Sequence, residues 1–261
     1  MKTVILSFDD SRGDFYSNVF PLLKKYEISA TLNVISDFVE NPSNYSFPSG
    51  GDLSMSVNQV KECADSGLVE IACHGHTHKN TKKDVIANIE ALKRWGIDTT
   101  GIGFASPTSY LTIKNKNENG VWDLIKDNTI SYIRSGIQIR REGYVYMFFS
   151  LIDRYLHSKI LFKILNDRTV IHKPEEFLLS TAVFSYTKPR QIKHLIDCSK
   201  DNSAVILMFH SVMKKGQSGY GLDRFYYDYD LFKELLCWLK NHDNICVSTT
   251  QQYIKDNINN K

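Results

Sequence analysis

The stretch VEIACHGHTHKN, residues 69–80, sets His74, His76 and His78 at alternate positions directly after an apolar run. Three of the chain's eight histidines fall within five residues, a clustering that asks for a chemical reason. Adjacent aspartates, Asp9 and Asp10, end a second apolar run, TVILSFDD, and His210 ends a third, AVILMFH. Imidazole and carboxylate together suit Zn2+ and related divalent ions, and two histidines with one aspartate leave a coordination position open. Which histidines serve depends on the backbone. If the chain stays extended, all three share one face, because strand side chains alternate with period two. If a turn of helix begins after the strand, His74 and His78 stack at i, i+4 and His76 points elsewhere.

These residues need elements to hold them. Short apolar runs at 3–8, 30–35, 68–73, 100–105, 129–134, 176–184, 204–209 and 245–250 read as strands. Helical patterns fall between many of them, at 15–26, 57–66, 82–96, 188–200 and 230–242. Ser56 with Gln59 forms a capping box for the second, and Gly96 stops the third. Strands alternating with helices imply parallel βαβ units, and seven or eight of them favour a (β/α) barrel over an open sheet. In such barrels the functional groups lie just past the C-terminal ends of the strands. Asp9–Asp10, His74, the ASPTSY segment at 105–110 and His210 all sit there, so they are expected to converge on one rim.

Composition excludes several classes. A net charge of +3 without a Lys/Arg-rich run argues against a nucleic-acid partner. Five scattered cysteines without a C-x-x-C pair suit reduced thiols, with Cys73 as a small core hydrophobe. The N-terminus, with a short strand-like run before two aspartates, does not read as a secretory leader, so a cytoplasmic location is expected. Residues 144–165, YVYMFFSLIDRYLHSKILFKIL, are apolar-rich but carry Asp153, Arg154, His157, Lys159 and Lys163. Such charges cost about 2.5–3.5 kcal/mol each at a helix centre, so no stable membrane insertion is expected. An amphipathic helix or pair of helices with a packing role is the expectation, the alternatives being a cap over the site or a contact with a membrane face.

The chain resembles the polysaccharide deacetylases, the NodB-like carbohydrate esterases. The motifs that carry the resemblance are SFDD, H-x-x-x-H within ACHGHTH, and LMFH, and it runs from SFDD to CVSTT. It implies a distorted, NodB/TIM-like (β/α) barrel as one catalytic domain over 1–261, with a helical insertion around 140–175. It implies Asp9 as catalytic base, Asp10, His74 and His78 as ligands of one divalent metal, and His210 as general acid. Leu207 would line the acetyl-methyl pocket and His76 would be a variable position. Zinc is the default metal, with Co2+, Ni2+ and Fe2+ also accepted by such a donor set. The substrate implied is an N-acetylated sugar or oligosaccharide, or a glycan precursor. His210, as imidazolium, would protonate the leaving amine, and a backbone N–H near Pro107, that of Thr108, would help hold the oxyanion.

One departure stands out. The family's R-x-P motif reads FASPTSY here, with Ala105 in place of the arginine. Arg134, ending the next predicted strand, is the candidate replacement and is assigned to the substrate site with Pro107 and Thr108. Arg12 reads as solvated or as a contact for an anionic substrate. The PSGGD loop within 41–55 reads as a rim over the site, and Tyr226, Tyr227 and Tyr229 read as sugar-stacking candidates, at least one of them core. Two other functions fit the same motifs: an amidohydrolase on a non-carbohydrate amide, and an inactive metal-containing sugar-binding protein.

Overall fold

Runs that are apolar at every position, such as VILSF and AVILMF, require strands covered on both faces, which is the habit of parallel sheets wrapped by helices. The computed structural model describes residues 1–45, 54–116, 118–222 and 224–258. Its strands are β1 (Lys2–Phe8), β2 (Ala30–Val34), β3 (Val69–Cys73), β4 (Phe104–Ala105), β5 (Ile133–Gly136), β6 (Val170–Ile171), β7 (Phe177–Ala182), β8 (Ala204–Phe209), β9 (Ser211–Met213), β10 (Tyr226–Asp228) and β11 (Ile245–Ser248). Its α-helices are α1 (Phe20–Tyr26), α2 (Ser36–Glu40), α3 (Val57–Asp65), α4 (Lys82–Arg94), α5 (Val121–Lys126), α6 (Tyr144–Leu156), α7 (Lys159–Asn166), α8 (Pro189–Cys198), α9 (Tyr229–Lys240) and α10 (Thr250–Ile258). Ser56 and Gln59 make the reciprocal capping box expected at the start of α3.

The barrel is a ring of seven. Strands β1, β2, β3, β4, β5, β7 and β8 pair in that order, all parallel, and β8 closes on β1 over Thr3–Phe8. The eighth expected strand, β11, does not join the ring as a full stave. It pairs with Lys2–Ile5 of β1, whereas β2 pairs with Ser7–Phe8 on the same strand. At the other edge, β6 runs antiparallel to Ala204–Val205 while β7 takes Ile206–Met208. The ring is therefore splayed at its N-terminal end and closed at its C-terminal end, which is the distortion.

Strand parity sorts the side chains. Val4, Leu6 and Phe8, with Val205, Leu207 and Phe209, face outward into the core shared with the helices. Ile5, Tyr132, Leu178, Ala204 and Ile206 face inward, and Tyr253 and Ile254 of α10 fill the splayed end against them. Gly103 is required there, because a Cβ would sit 1.9 Å from the Tyr132 ring. Of the expected 100–105 strand, Phe104–Ala105 forms β4, and the Ile102 and Gly103 carbonyls before it accept from the Ser131 and Cys73 N–H groups. The lower barrel is thus apolar, apart from Glu70, whose carboxylate accepts hydrogen bonds from Thr31, Tyr132 and the Gln251 N–H. The upper barrel is left for polar groups.

Candidate active site

Inward parity carries Asp9 from β1, Asn33 from β2, His74 after β3, Arg134 from β5 and Met208 from β8 to the closed end of the ring. Just beyond β1 the chain turns with Asp10 at φ 77° and Ser11 at φ 52°, a left-handed conformation unusual for residues with side chains. Ser11 stabilises that turn by donating to the Asp10 carbonyl (2.6 Å), and its own carbonyl accepts from the Met55 N–H (2.9 Å). Strain of this kind is retained where surrounding contacts over-determine it, typically at functional sites.

The backbone question raised by the three histidines has a definite answer. After β3 the chain leaves the extended conformation at Gly75 (φ +83°), where a Cβ would meet the Asp84 carboxylate at 2.6 Å. Asp84, at the start of α4, accepts from the Thr77 N–H (3.0 Å), the Thr77 hydroxyl (2.7 Å) and the Lys79 N–H (3.0 Å). The resulting turn places His78 beside His74, with ring centroids 4.9 Å apart. His76 turns away, its Nδ1 2.8 Å from the Ser36 hydroxyl.

Asp10, His74 and His78 offer ligand atoms that all lie within 4.8 Å of one another. His74 Nε2 is 3.5 Å and His78 Nε2 3.8 Å from Asp10 Oδ1. His74 Nδ1 lies 2.9 Å from the Ala105 carbonyl, an acceptor that requires the proton on Nδ1 and leaves Nε2 as the free lone pair. Burial by itself disfavours the ionised form of Asp10, but the His74 hydrogen bond and the charges of His210, His74 and Arg12 hold its carboxyl well below the usual range. His78 is pushed down to about 4 by burial and by His74, against the pull of Asp10 and Asp9. Near neutrality it is therefore an unprotonated imidazole, the form that binds metals. Burial lowers the proton affinity of His74, yet the Asp9 and Asp10 carboxylates outweigh it and raise the balance. A position between two carboxylates that draws a proton to His74 is one that would draw a cation.

Asp9 is held differently. Its carboxylate forms a buried ion pair with Arg134 Nη2 and accepts from Asn33 Nδ2 at 2.8 Å. Arg134 is 1% exposed, so it is not a surface residue. Its Nη1 lies 2.9 Å from Met208 Sδ, which locks the guanidinium across the barrel. Ala105 and Arg134 are direct partners across β4 and β5, so the arginine stands one strand away from where the resemblance looks for it. No motif marks Asn33. A polar residue at an inward position of ATLNVI was the available signal.

The remaining candidates divide. His210 sits at the end of β8 with its ring 5.1 Å from Phe225, and burial lowers its pKa despite the opposing charges of Asp10 and Asp9. Pro107 is buried and its carbonyl accepts from Asn80, while Thr108 is exposed in a left-handed turn at φ 54°. Leu207 is not brought to the site. It is fully buried in the outer core, and Met208 takes the inward position. Arg12, expected to be solvated or to contact an anionic substrate, is 5% exposed, donates to Ser211 at 2.6 Å and lies 3.9 Å from Asp10. Tyr227 is core, Tyr226 packs on Tyr220, and Tyr229 lies beneath the Lys214 ammonium. The PSGGD segment lies outside the described residues.

One rim of the closed seven-stranded (β/α) barrel thus gathers an Asp-His-His cluster that could hold a metal ion and, beside it, a second, arginine-paired aspartate. Comparison with known proteins shows a likeness over part of the chain. The polysaccharide deacetylase family model matches residues 1–99, the segment that carries Asp9, Asp10, His74 and His78. Within known proteins, a poly-beta-1,6-N-acetyl-D-glucosamine N-deacetylase of Escherichia coli K12 is 35% identical over 78 residues, 28% of this chain. One of Staphylococcus aureus MRSA252 is 32% identical over 83 residues, 32% of this chain. The matched segments span 12% and 27% of those relatives' own lengths. Among solved structures, a family 4 acetyl xylan esterase of Clostridium thermocellum, solved with a cobalt ion, superposes over 97% of this chain and 90% of its own. That likeness, with a TM-score of 0.50 at 14% identity, concerns the fold alone. The resemblance to the polysaccharide deacetylases is thus shown over the N-terminal segment, and the barrel is of the same type throughout.

Proposed function

We propose that this chain is a metal-dependent carbohydrate deacetylase that removes N-acetyl groups from an amino sugar, an oligosaccharide or a glycan precursor. The observation that carries the reading is the pairing of two differently held aspartates: Asp10 faces two histidines, and Asp9, 3.9 Å from His74, faces an arginine. Asp10, His74 and His78 would hold the ion, with zinc as the first choice. A divalent ion there supplies Lewis acidity, polarising a carbonyl oxygen and making water nucleophilic near neutral pH.

The protein's own groups do the rest. Asp9 takes the proton of the attacking water, and Arg134 and Asn33 hold its carboxylate in one orientation while it does so. His210 gives a proton to the leaving nitrogen. The turn at Pro107–Thr108 lies beside the site at the end of β4, and the Thr108 N–H is the backbone donor assigned to the developing oxyanion. The inactive-binder reading drew its support from Ala105, and the buried Arg134–Asp9 pair removes that support. The whole chain acts as one catalytic domain, with α6 and α7 as an insertion between β5 and β6.

The test pairs metal content with turnover. Elemental analysis of wild type should find about one equivalent of metal, lost in His78→Ala, and wild type should release acetate from one or more of a panel of N-acetylated sugars. Metal bound without acetate release by wild type, or acetate release unchanged by Asp9→Asn, would refute the deacetylase assignment while leaving the metal site intact.

A further inference from the structure

Helix α6 is turned the wrong way for a soluble protein. An amphipathic helix normally buries its apolar stripe. Here Tyr144, Phe148, Tyr155 and Leu156 are 89%, 59%, 77% and 64% exposed. The one α6 residue that is buried among those described is polar: Gln191 Nε2 lies 3.1–3.2 Å from the Asp153 carboxylate oxygens. Tyr146 likewise reaches inward, donating to the Leu165 carbonyl at 3.0 Å. Helix α7 extends the surface, burying Phe162 and Leu165 and exposing Ile160 and Ile164 by 65% and 63%. Val145, Phe149 and Leu151 are exposed on α6 as well, so the two helices present an apolar surface of the kind that marks an interaction site. The packing role expected for residues 144–165 accounts for only half of their surface.

Charge and position say what covers the other half. Residues 140–168 contain six Lys and Arg against three Asp and Glu, a net of +3, which equals the formal charge of the whole chain. The rest of the chain is formally neutral, so the excess positive charge falls within this segment, where Lys163 pairs with Asp167 and Arg168 with Glu142. The hairpin also borders the catalytic rim. Gln138, before α6, donates to the Thr108 carbonyl (2.7 Å), and Arg141 donates to the Tyr110 carbonyl (3.1 Å). From the other end, Arg154 lies over Tyr186, which stacks on Phe184, which meets Phe225, whose ring contacts His210. No helix among the described residues is long and apolar enough to cross a membrane.

We propose that the α6–α7 hairpin is a membrane-interface anchor, laying its apolar face into an anionic lipid surface and setting the catalytic rim against that surface. Phe and Leu enter the acyl boundary, Tyr144 and Tyr155 sit at headgroup level, and the surrounding Lys and Arg meet anionic headgroups. A second copy of the chain is the less suited occupant, because a two-fold interface would press two faces of net +3 together.

The test is co-sedimentation of the purified chain with phosphatidylcholine vesicles, with and without about one third phosphatidylglycerol, at low salt. Wild type is expected to pellet with the anionic vesicles and to be released by salt. Phe148→Asp with Leu151→Asp should lower partitioning roughly a hundred-fold, since burying each side chain is worth about ten-fold. The urea midpoint should not change, because both residues are exposed. Arg154→Glu with Lys159→Glu should weaken binding to anionic vesicles alone. The proposal is overturned if wild type stays in the supernatant, if it pellets without preference for anionic lipid, or if the Asp variant pellets like wild type. It is also overturned if wild type is a dimer that the Asp variant converts to monomer, which would make the face an interface between copies.

Discussion

Replacing Arg134 with methionine removes the cation that faces Asp9 while filling most of the same volume with an apolar chain. Arg134 and Asp9 are 1% and 3% exposed, so water cannot take over the arginine's role. Removing one partner of a buried pair costs about 3–5 kcal/mol, because the remaining charge is left in a low-dielectric interior. Asn33 still donates to Asp9, which sets the expectation at the lower end of that range. A domain stable by about 5–15 kcal/mol survives this, so the variant can be purified and compared. Urea denaturation at pH 7 should show a loss of about 3 kcal/mol. If Asp9 is the base, kcat/KM for acetate release should fall about 100-fold or more. Arg134→Lys should recover only part of either loss, since one ammonium cannot hold both the carboxylate and Met208 as the guanidinium does. Moving the arginine back to β4, as Arg134→Ala with Ala105→Arg, should recover more, because the two positions are neighbours in register. Unfolding of Arg134→Met within about 0.5 kcal/mol of wild type, the usual range for surface changes, would refute the buried-pair reasoning. An unchanged kcat/KM would refute the claim that this arginine replaces the one missing at Ala105.

Two further outcomes follow from residues that position the site. Asp84→Ala removes the acceptor for three donors in the turn that carries His78, so metal affinity should fall about 10–100-fold with the ligand set intact, measured by competition with a chromophoric chelator. An affinity equal to wild type would show that the turn holds without Asp84. Asp14 is pushed up to about 6 by burial, opposed by the Val212 N–H and the Arg12 charge. Its folded pKa thus exceeds its ordinary value, so the stability it contributes is complete below about pH 4 and is lost as pH rises through 6. Asp14→Asn should therefore match wild type near pH 4 and exceed it by up to about 3 kcal/mol near pH 8, read from urea midpoints across that interval. A difference between the two proteins that does not vary with pH would refute the assignment.

How much of this was legible in the sequence depends on whether the relevant signal was local. Parallel strands announced themselves because a strand buried on both faces must be apolar at every position, as in VILSF and AVILMF. The rim residues were legible for the same reason: Asp9, Asp10, His74 and His210 are the first polar groups after apolar runs, and a barrel gathers such positions at one end. Parity also held information that the resemblance overrode. If His210 points inward, Leu207, three residues earlier on the strand, must point outward, and Met208 inward. Only the tertiary structure decided the rest. Which histidines approach one another was settled by Asp84 and Gly75, which bend the chain after β3. Arg134 is nameable from the sequence as a candidate replacement for the arginine missing at Ala105, but its partner is not: only the pairing of β4 and β5 and the closure of the ring bring it to Asp9. The ring has seven staves rather than eight because β11 and β6 share edges with longer neighbours, a competition between strands far apart in sequence. The inverted face of α6 escaped the sequence for a related reason. A helical pattern shows that a helix has an apolar side, but only its neighbours determine whether that side is covered.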